Sequence, residues 1–137
     1  MSDPTLQAQI VAANAYESLF VPALFAQWAS KVADAAHLRP GERLLDVACG
    51  TGILAREIAS RIGPVGRVAG VDPNPGMIAM AQRLAPAIEW REGVAESLLF
   101  PDRSFNAVVS QFGLMFFTDR VEPLARCLRS AGLGLLP

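Results

Sequence analysis

Two acidic residues and a glycine-rich turn are the residues of this sequence best placed to do chemistry. Asp46 stands four residues before a turn of sequence Gly50-Thr51-Gly52, and Asp72 follows 20 residues after the turn's last glycine. Glycines are needed where the backbone must turn tightly and approach a ligand, because a Cβ there would collide with it. A carboxylate at that separation, at the end of the next strand, can accept both hydroxyls of a ribose. The pattern predicts a nucleotide-type binding site.

The charge beside the turn bears on which nucleotide it would bind. Residues 50–55 match G-x-G-x-x-A, the dinucleotide fingerprint. A pyrophosphate needs hydrogen-bond donors and positive potential, and the carboxylate of Asp46 supplies neither. S-adenosylmethionine carries a sulfonium and an ammonium in place of phosphates, and a carboxylate favours both cations. The residues therefore favour S-adenosylmethionine, and an NAD-dependent oxidoreductase domain stays open as an alternative.

The elements that must position these residues alternate between strands and helices. Mostly apolar runs predict four strands, at 43–48, 67–72, 87–91 and 106–111. Apolar residues at helical spacing predict helices after the first, second and fourth strands, at 53–62, 75–85 and 121–128. Strand–helix alternation predicts βαβ units and right-handed crossovers. The predicted fold class is α/β: a Rossmann-like three-layer αβα arrangement with a mostly parallel sheet.

An alanine-rich helical segment, residues 5–37, precedes the first strand. Pro22 is expected to break or kink this helix, because proline removes a backbone donor and clashes with the preceding turn. A second helix of about 23–37 should then follow. The chain is therefore expected to comprise an N-terminal helical segment, 1–38, and a partial Rossmann-like S-adenosylmethionine-binding domain, 39–137.

Composition excludes several classes of protein. The 137 residues suffice for one compact domain, and 52% hydrophobic with 18% charged residues argue against disorder. The net charge of −1 gives no basic field for nucleic acid, and no run of about 20 apolar residues predicts a membrane span. The spacing of Cys49 and Cys127, with His37 the only histidine, suggests neither a disulfide nor a metal site. The start of the sequence lacks a secretory layout, and we expect a cytoplasmic protein.

The segment 44–52, Leu-Leu-Asp-Val-Ala-Cys-Gly-Thr-Gly, resembles motif I of class I S-adenosylmethionine-dependent methyltransferases. Residues 68–77 resemble the acidic segment that follows in that family, and residues 91–114 resemble its third and fourth strands with their loops. The similarity is greatest to the small-molecule branch that includes ubiquinone/menaquinone biosynthesis methyltransferases. The resemblance implies methyl transfer from S-adenosylmethionine to a small-molecule acceptor, with S-adenosylhomocysteine as the product.

The resemblance also implies which residues hold the cofactor. Residues around the turn would hold its methionine portion: the Asp46 side chain, the backbone of Ala48, Cys49 and Gly50, and Gly52, which permits close approach. Later residues would hold the nucleoside: Asp72 at the ribose hydroxyls, Pro73 and Met77 against the adenine, and the Ala95 backbone at the adenine edge. Gln111 and Phe112 would lie beside the methionine moiety and the reacting methyl group. The resemblance identifies no catalytic base and no metal ligand.

Three positions depart from the family's pattern. Val94 stands where the family usually has an acidic residue that reaches the adenine amino group, and valine cannot accept that hydrogen bond. Asn106 replaces a common aspartate, and Ala48 replaces the first glycine of the turn. We therefore expect weaker or less selective binding of adenine.

Two further residues leave alternatives open. Cys49 precedes a helix N-terminus, which lowers the pKa of a thiol, so it could be a nucleophile. The alternative is that it is only a small residue that fits the turn, because no base is near it in sequence. Tyr16 belongs either to an N-terminal lid over the cofactor, as in similar members of the family, or to ordinary packing.

The predicted sheet has about four strands, whereas the family's sheet has seven. An uncovered edge of the fourth strand would expose backbone groups, which is a known route to pairing with another chain. We therefore expect a truncated methyltransferase that holds its fold only with a partner chain or by self-association at this edge. A fragment that binds the cofactor without catalysis is the alternative.

Overall fold

The computed structural model describes residues 3–35, 37–94, 100 and 104–110. In chain order its elements are α1 (Pro4–Ala15), a π-helical stretch (Tyr16–Phe25), α2 (Ala26–Ala35), β1 (Arg43–Val47), α3 (Ile53–Ile62), β2 (Arg67–Asp72), α4 (Pro75–Leu84), β3 (Glu89–Glu92) and β4 (Ala107–Val109). No helix within these ranges is long and apolar enough to span a membrane. The same ranges contain no group of three His, Cys, Asp or Glu residues able to hold a metal ion.

The described strands form one parallel sheet in the order β3-β2-β1-β4. The chain builds outward from β1 to β3 and then returns to the other side of β1 with β4. In open α/β sheets, ligands bind outside the carboxyl ends of the strands at the point where the order reverses. The predicted α/β, Rossmann-like fold is confirmed, and the reversal lies beside β1, whose last residues include Asp46.

The central strand β1 is buried on both faces. Leu44 packs on one face with Ile58 and Ile62 of α3, and Leu45 packs on the other with Phe105. Successive residues of a strand point to opposite faces, so Asp46 shares the face of Leu44. The carboxylate of Asp46 is therefore carried on a rigid element inside the core.

Most predicted boundaries are close to the observed ones. The third strand is Glu89–Glu92 instead of 87–91, and the described part of the fourth is Ala107–Val109 instead of 106–111. The last predicted helix, 121–128, lies outside the described residues.

The prediction that Pro22 breaks or kinks the N-terminal helix is right only in part: α-helical geometry is interrupted from Tyr16 to Phe25, but the chain does not leave the helix. Helical backbone runs through Pro22 from Pro4 to Ala35, because the π-helical stretch joins α1 directly to α2. In an α-helix the proline ring clashes with the carbonyl one turn back, and its missing N–H leaves that carbonyl unbonded. A wider π-helical turn displaces the carbonyl, so the chain stays helical.

The N-terminal helices are attached to the sheet domain at both ends. Asn74 caps α4 by accepting hydrogen bonds from the N–H groups of Gly76 and Met77, at 2.8 and 3.2 Å. The backbone of Gln9 packs so closely on this helix start that a Cβ on Gly76 would lie closer than 3.0 Å to it. At the other end, Arg61 of α3 forms an ion pair with Asp34 of α2.

Candidate functional site

The turn between β1 and α3 is built from left-handed backbone. Ala48, Gly50 and Gly52 have φ angles of +57°, +59° and +91°. These values lie in the region that glycine adopts readily and other residues avoid. The turn brings the N-terminus of α3 back over the carboxyl end of β1.

Ala48 carries backbone strain that a glycine would relieve, since the left-handed conformation costs an L-residue about 1–2 kcal/mol. We expect Ala48→Gly to raise the free energy of unfolding by about 0.5–1 kcal/mol, less than the full strain because glycine loses more entropy on folding. Urea denaturation measures the change. The matched control is Ala59→Gly inside α3, which should lower the same quantity by about 1 kcal/mol. A loss of stability in both variants would contradict the strain at Ala48.

Asp72 lies at the end of β2 and faces the same turn. One carboxylate oxygen accepts a hydrogen bond from the Gly50 N–H at 2.9 Å, and the other accepts from the Asn74 N–H at 2.8 Å. Burial raises the pKa of Asp72, while these two hydrogen bonds oppose the rise. The structure therefore brings together the turn and the carboxylate that the sequence spacing paired, and it fixes both carboxylate oxygens.

Asp46 is buried without a hydrogen-bond partner. The residue is 1% exposed, and neither oxygen accepts a hydrogen bond from the described residues. Burial raises its pKa to about 8; the nearby N–H of Ala55, which does not reach hydrogen-bond geometry, opposes the rise, and the negative charge of Asp72 adds to it. An unpartnered carboxylate in the core is unfavourable, so this is a position where a bound cation would be stabilised.

The N–H groups of the turn are largely used within the protein. They donate from Cys49 to the Val71 carbonyl at 3.0 Å, from Gly50 to Asp72 at 2.9 Å, and from Gly52 to the Cys49 carbonyl at 3.0 Å. A pyrophosphate bound here would need several of these donors free. Because two carboxylates lie here and the N–H groups of the turn already donate within the protein, the site suits a cationic ligand group better than a phosphate.

Cys49 is a buried thiol with no activation. Burial raises its pKa above the ordinary value, and the charges of Asp46 and Asp72 add to the rise. Its Sγ lies 3.6 Å from the carbonyl oxygen of Gly50. A thiol that stays protonated is a poor nucleophile, so the structure favours the alternative of a small turn residue.

An aromatic ring that sequence reasoning left without a role packs on the turn. A Cβ on Gly52 would lie closer than 3.0 Å to the indole ring of Trp90. The indole N–H donates to the Ala85 carbonyl at 2.8 Å, which holds the ring in place. Gly52 is therefore required by contact with Trp90, in addition to any ligand that the turn binds. No local pattern could reveal this, because Trp90 comes from a different strand.

Tyr16 lies over the other glycine of the turn. Its hydroxyl would be 3.5 Å from a Cβ placed on Gly50. The pKa of Tyr16 is raised to about 12, first by burial and then by the charges of Asp72, Glu17 and Asp46. The hydroxyl therefore keeps its proton at the edge where both site carboxylates lie.

The remaining predicted contacts are only partly within the described residues. Pro73 is exposed directly after Asp72, and Met77 is half-buried in the first turn of α4. Three predicted residues lie outside the described residues: Ala95, Gln111 and Phe112.

Two residues outside the turn, Val94 and Asn106, differ from the family's usual pattern, and their surroundings differ. Val94 is 41% exposed after the end of β3, on the same edge as the turn. Asn106 instead lies at the opposite edge, where its side chain accepts from the Arg43 N–H at 2.8 Å and its own N–H donates to the Arg43 carbonyl at 2.8 Å. Asn106 thus joins the start of β4 to the start of β1.

Comparisons with known proteins agree with this geometry. A family model described as "Methyltransferase domain" matches residues 44–132. The ubiquinone/menaquinone biosynthesis C-methyltransferase UbiE of Ectopseudomonas mendocina is 35% identical over 108 residues, which are 74% of this chain and 42% of that protein. The demethylmenaquinone methyltransferase of Chlorobaculum tepidum is 46% identical over 102 residues, which are 70% of this chain and 41% of that protein. The chain therefore spans about two fifths of the length of both relatives.

A solved structure shares the fold. The SAM-dependent methyltransferase from Aquifex aeolicus superposes with a TM-score of 0.69 at 20% sequence identity. The superposition covers 75% of this chain and 57% of that one. At 20% sequence identity, this superposition shows that the two proteins share a fold.

Proposed function

Since this chain belongs to the methyltransferase-domain family whose model it matches over residues 44–132, we propose that it binds S-adenosylmethionine at the glycine turn for methyl transfer to a small-molecule acceptor. The observation that carries the proposal is the pair of buried carboxylates, Asp46 and Asp72, at the carboxyl ends of neighbouring strands. The names of the two relatives, both methyltransferases linked to quinones, support a small-molecule acceptor.

The two carboxylates would bind opposite ends of the cofactor. Asp46 would pair with the ammonium of the methionine portion, whose positive charge stabilises the ionised carboxylate and lowers its pKa. Each oxygen of Asp72 already accepts one backbone N–H and keeps a lone pair for a ribose hydroxyl. When bound, the cofactor supplies a methyl group activated by a sulfonium, so this chain's residues contribute binding and orientation.

The experiment that tests this function is a calorimetric titration followed by an activity assay. We expect S-adenosylmethionine and S-adenosylhomocysteine to bind and NAD not to bind. Binding of NAD alone would overturn the proposal in favour of an oxidoreductase domain. Incubation with S-adenosylmethionine and an acceptor panel that begins with demethylmenaquinone then tests methyl transfer. Binding without turnover across that panel would favour a cofactor-binding fragment without catalysis.

Asp72→Ala is expected to weaken binding of S-adenosylhomocysteine by about 1–3 kcal/mol, because charge-assisted hydrogen bonds to the ribose are lost. Calorimetry measures the dissociation constant. The variant also loses the bonds to Gly50 and Asn74, so its circular dichroism must first match that of the parent protein. Asp34→Ala removes an exposed carboxylate from α2 and should leave the dissociation constant unchanged. Equal affinity in Asp72→Ala and the parent would contradict the assigned role.

Several expectations remain predictions within this proposal. They are adenine packing by Pro73 and Met77, the lid role of residues 1–38, and self-association through the outer edge of β4. Cytoplasmic localisation and the lack of a nucleic-acid partner are predictions of the same kind. Ala95, Gln111 and Phe112 keep the contacts that the family resemblance implies for them.

A further inference from the structure

Glu17 connects the N-terminal helical segment to the glycine turn and to α3. One of its carboxylate oxygens accepts from the Thr51 hydroxyl at 2.5 Å, and the other accepts from the Arg56 guanidinium at 2.7 Å. Thr51 is fully buried, and the Nε of Arg56 is buried without a partner among the described residues. The Glu17 carboxylate thus bonds one group inside the turn and one on the helix that follows it.

The neighbouring residue, Tyr16, fills the space above the turn. Its ring atoms and hydroxyl lie 3.5–3.9 Å from the position that a Cβ of Gly50 would occupy. A ligand that approaches the backbone of Gly50 from this side meets the tyrosine first. Tyr16 must therefore shift when the cofactor enters or leaves by this side.

The residues that directly follow Glu17, residues 18–20, are exposed, and Val21 is the next buried one. The π-helical stretch begins at Tyr16, where the regular α-helical hydrogen-bond ladder of α1 ends. Leu19 and Phe20 in the same stretch are 66% and 51% exposed. Segments with few buried contacts open at low free energy, so individual polar contacts decide how often they open.

We propose that Glu17 is a positioning residue that latches the N-terminal segment over the glycine turn and thereby sets the rate at which the cofactor enters and leaves. The inference rests on the proposed function, because it assigns the kinetics of the same site. Breaking the two bonds of Glu17 loosens the segment that carries Tyr16 and lets it move away from Gly50, and re-forming them returns it. Glu17 acts through the position of Tyr16.

The test compares Glu17→Gln with the parent chain by stopped-flow fluorescence during binding of S-adenosylhomocysteine. Glutamine keeps the size and the acceptor oxygen for Thr51 but loses the charge that holds Arg56. Trp90, packed on Gly52, supplies a signal at the site. We expect the association and dissociation rate constants both to rise about tenfold while the dissociation constant changes less than about threefold, because the closed and open states exchange more often.

Asp34→Asn is the matched control. It removes the charge from another ion pair between the N-terminal segment and α3, the pair with Arg61, which involves no residue of the turn. Both rate constants of this variant should stay within about twofold of the parent, since an exposed pair contributes little. If Glu17→Gln leaves both constants unchanged, or raises dissociation alone, Glu17 is not a latch for cofactor exchange.

Hydrogen exchange of the protein without cofactor gives a second, independent readout. Amide groups of residues 13–20 and 49–52 should exchange about tenfold faster in Glu17→Gln than in the parent or in Asp34→Asn, because the segment opens more often. Equal exchange in all three proteins would overturn the latch. A parent protein that binds no S-adenosylhomocysteine would refute the proposed function, whereas exchange would still report on the latch.

Discussion

Replacing Gly52 with alanine is expected to lower the free energy of unfolding by about 3 kcal/mol. Two causes act together. The φ angle of +91° is strained for an L-residue. The added Cβ would also lie closer than 3.0 Å to the indole ring of Trp90, which the Ala85 carbonyl holds in place.

Two glycines of the same chain separate these causes. Gly63→Ala isolates the backbone strain, because Gly63 has a φ of +74° and no described atom lies within 4 Å of the position that a Cβ would occupy. We expect this variant to lose about 1 kcal/mol. Gly70→Ala isolates the collision, since its Cβ would also lie closer than 3.0 Å to Trp90 but its φ is not positive. Urea denaturation of the three variants measures the losses, and a loss at Gly52 no greater than at Gly63 would contradict the contact with Trp90.

Asp46 is expected to make the protein without cofactor less stable as the pH rises. Its pKa is about 8 in the folded protein against an ordinary 3.8, so the folded state holds a proton that the unfolded chain has released. The stability that the folded protein gains from holding this proton is fully present below about pH 4 and is lost as the pH rises through 8. The slope is about 1.4 kcal/mol per pH unit between these values, because one proton is involved.

The comparison with Asp46→Asn isolates this slope. Asparagine cannot ionise. When urea denaturation is repeated at pH 5, 6, 7 and 8, the free energy of unfolding of the variant should therefore not show the part of the decline with pH that Asp46 causes in the parent. Saturating S-adenosylhomocysteine should reduce the slope in the parent, since the ammonium of the ligand lowers the pKa of Asp46. Parallel pH profiles of the parent and the variant would contradict a protonated Asp46 in the folded state.

The central part of the fold could be predicted because its signals are local. The mostly apolar run of β1 is typical of a strand buried on both faces, and the apolar residues of α3 follow the period of a helix. Asn74 with Pro75 has the residue types of a helix start. The pairing of the two carboxylates also follows from local signals. Parallel strands end at the same edge of a sheet, and the observed register places Val47 beside Val71, the residue before Asp72.

The contacts that complete the site could not be predicted in this way. The bond between Glu17 and Thr51 joins residues 34 positions apart, and it depends on how the N-terminal helices lie on the sheet domain. The contact of Trp90 with Gly52 depends on the direction of a side chain on another strand. Pro22 interrupts the α-helical geometry as predicted, but its presence alone could not show that the helix would widen instead of ending.

The most direct measurement of the central claim is the crystal structure of this chain with S-adenosylhomocysteine. We expect the two ribose hydroxyls to donate hydrogen bonds to Asp72 and the ammonium of the ligand to lie beside Asp46. Adenosine bound on another face of the sheet, with both carboxylates free of ligand, would contradict the account.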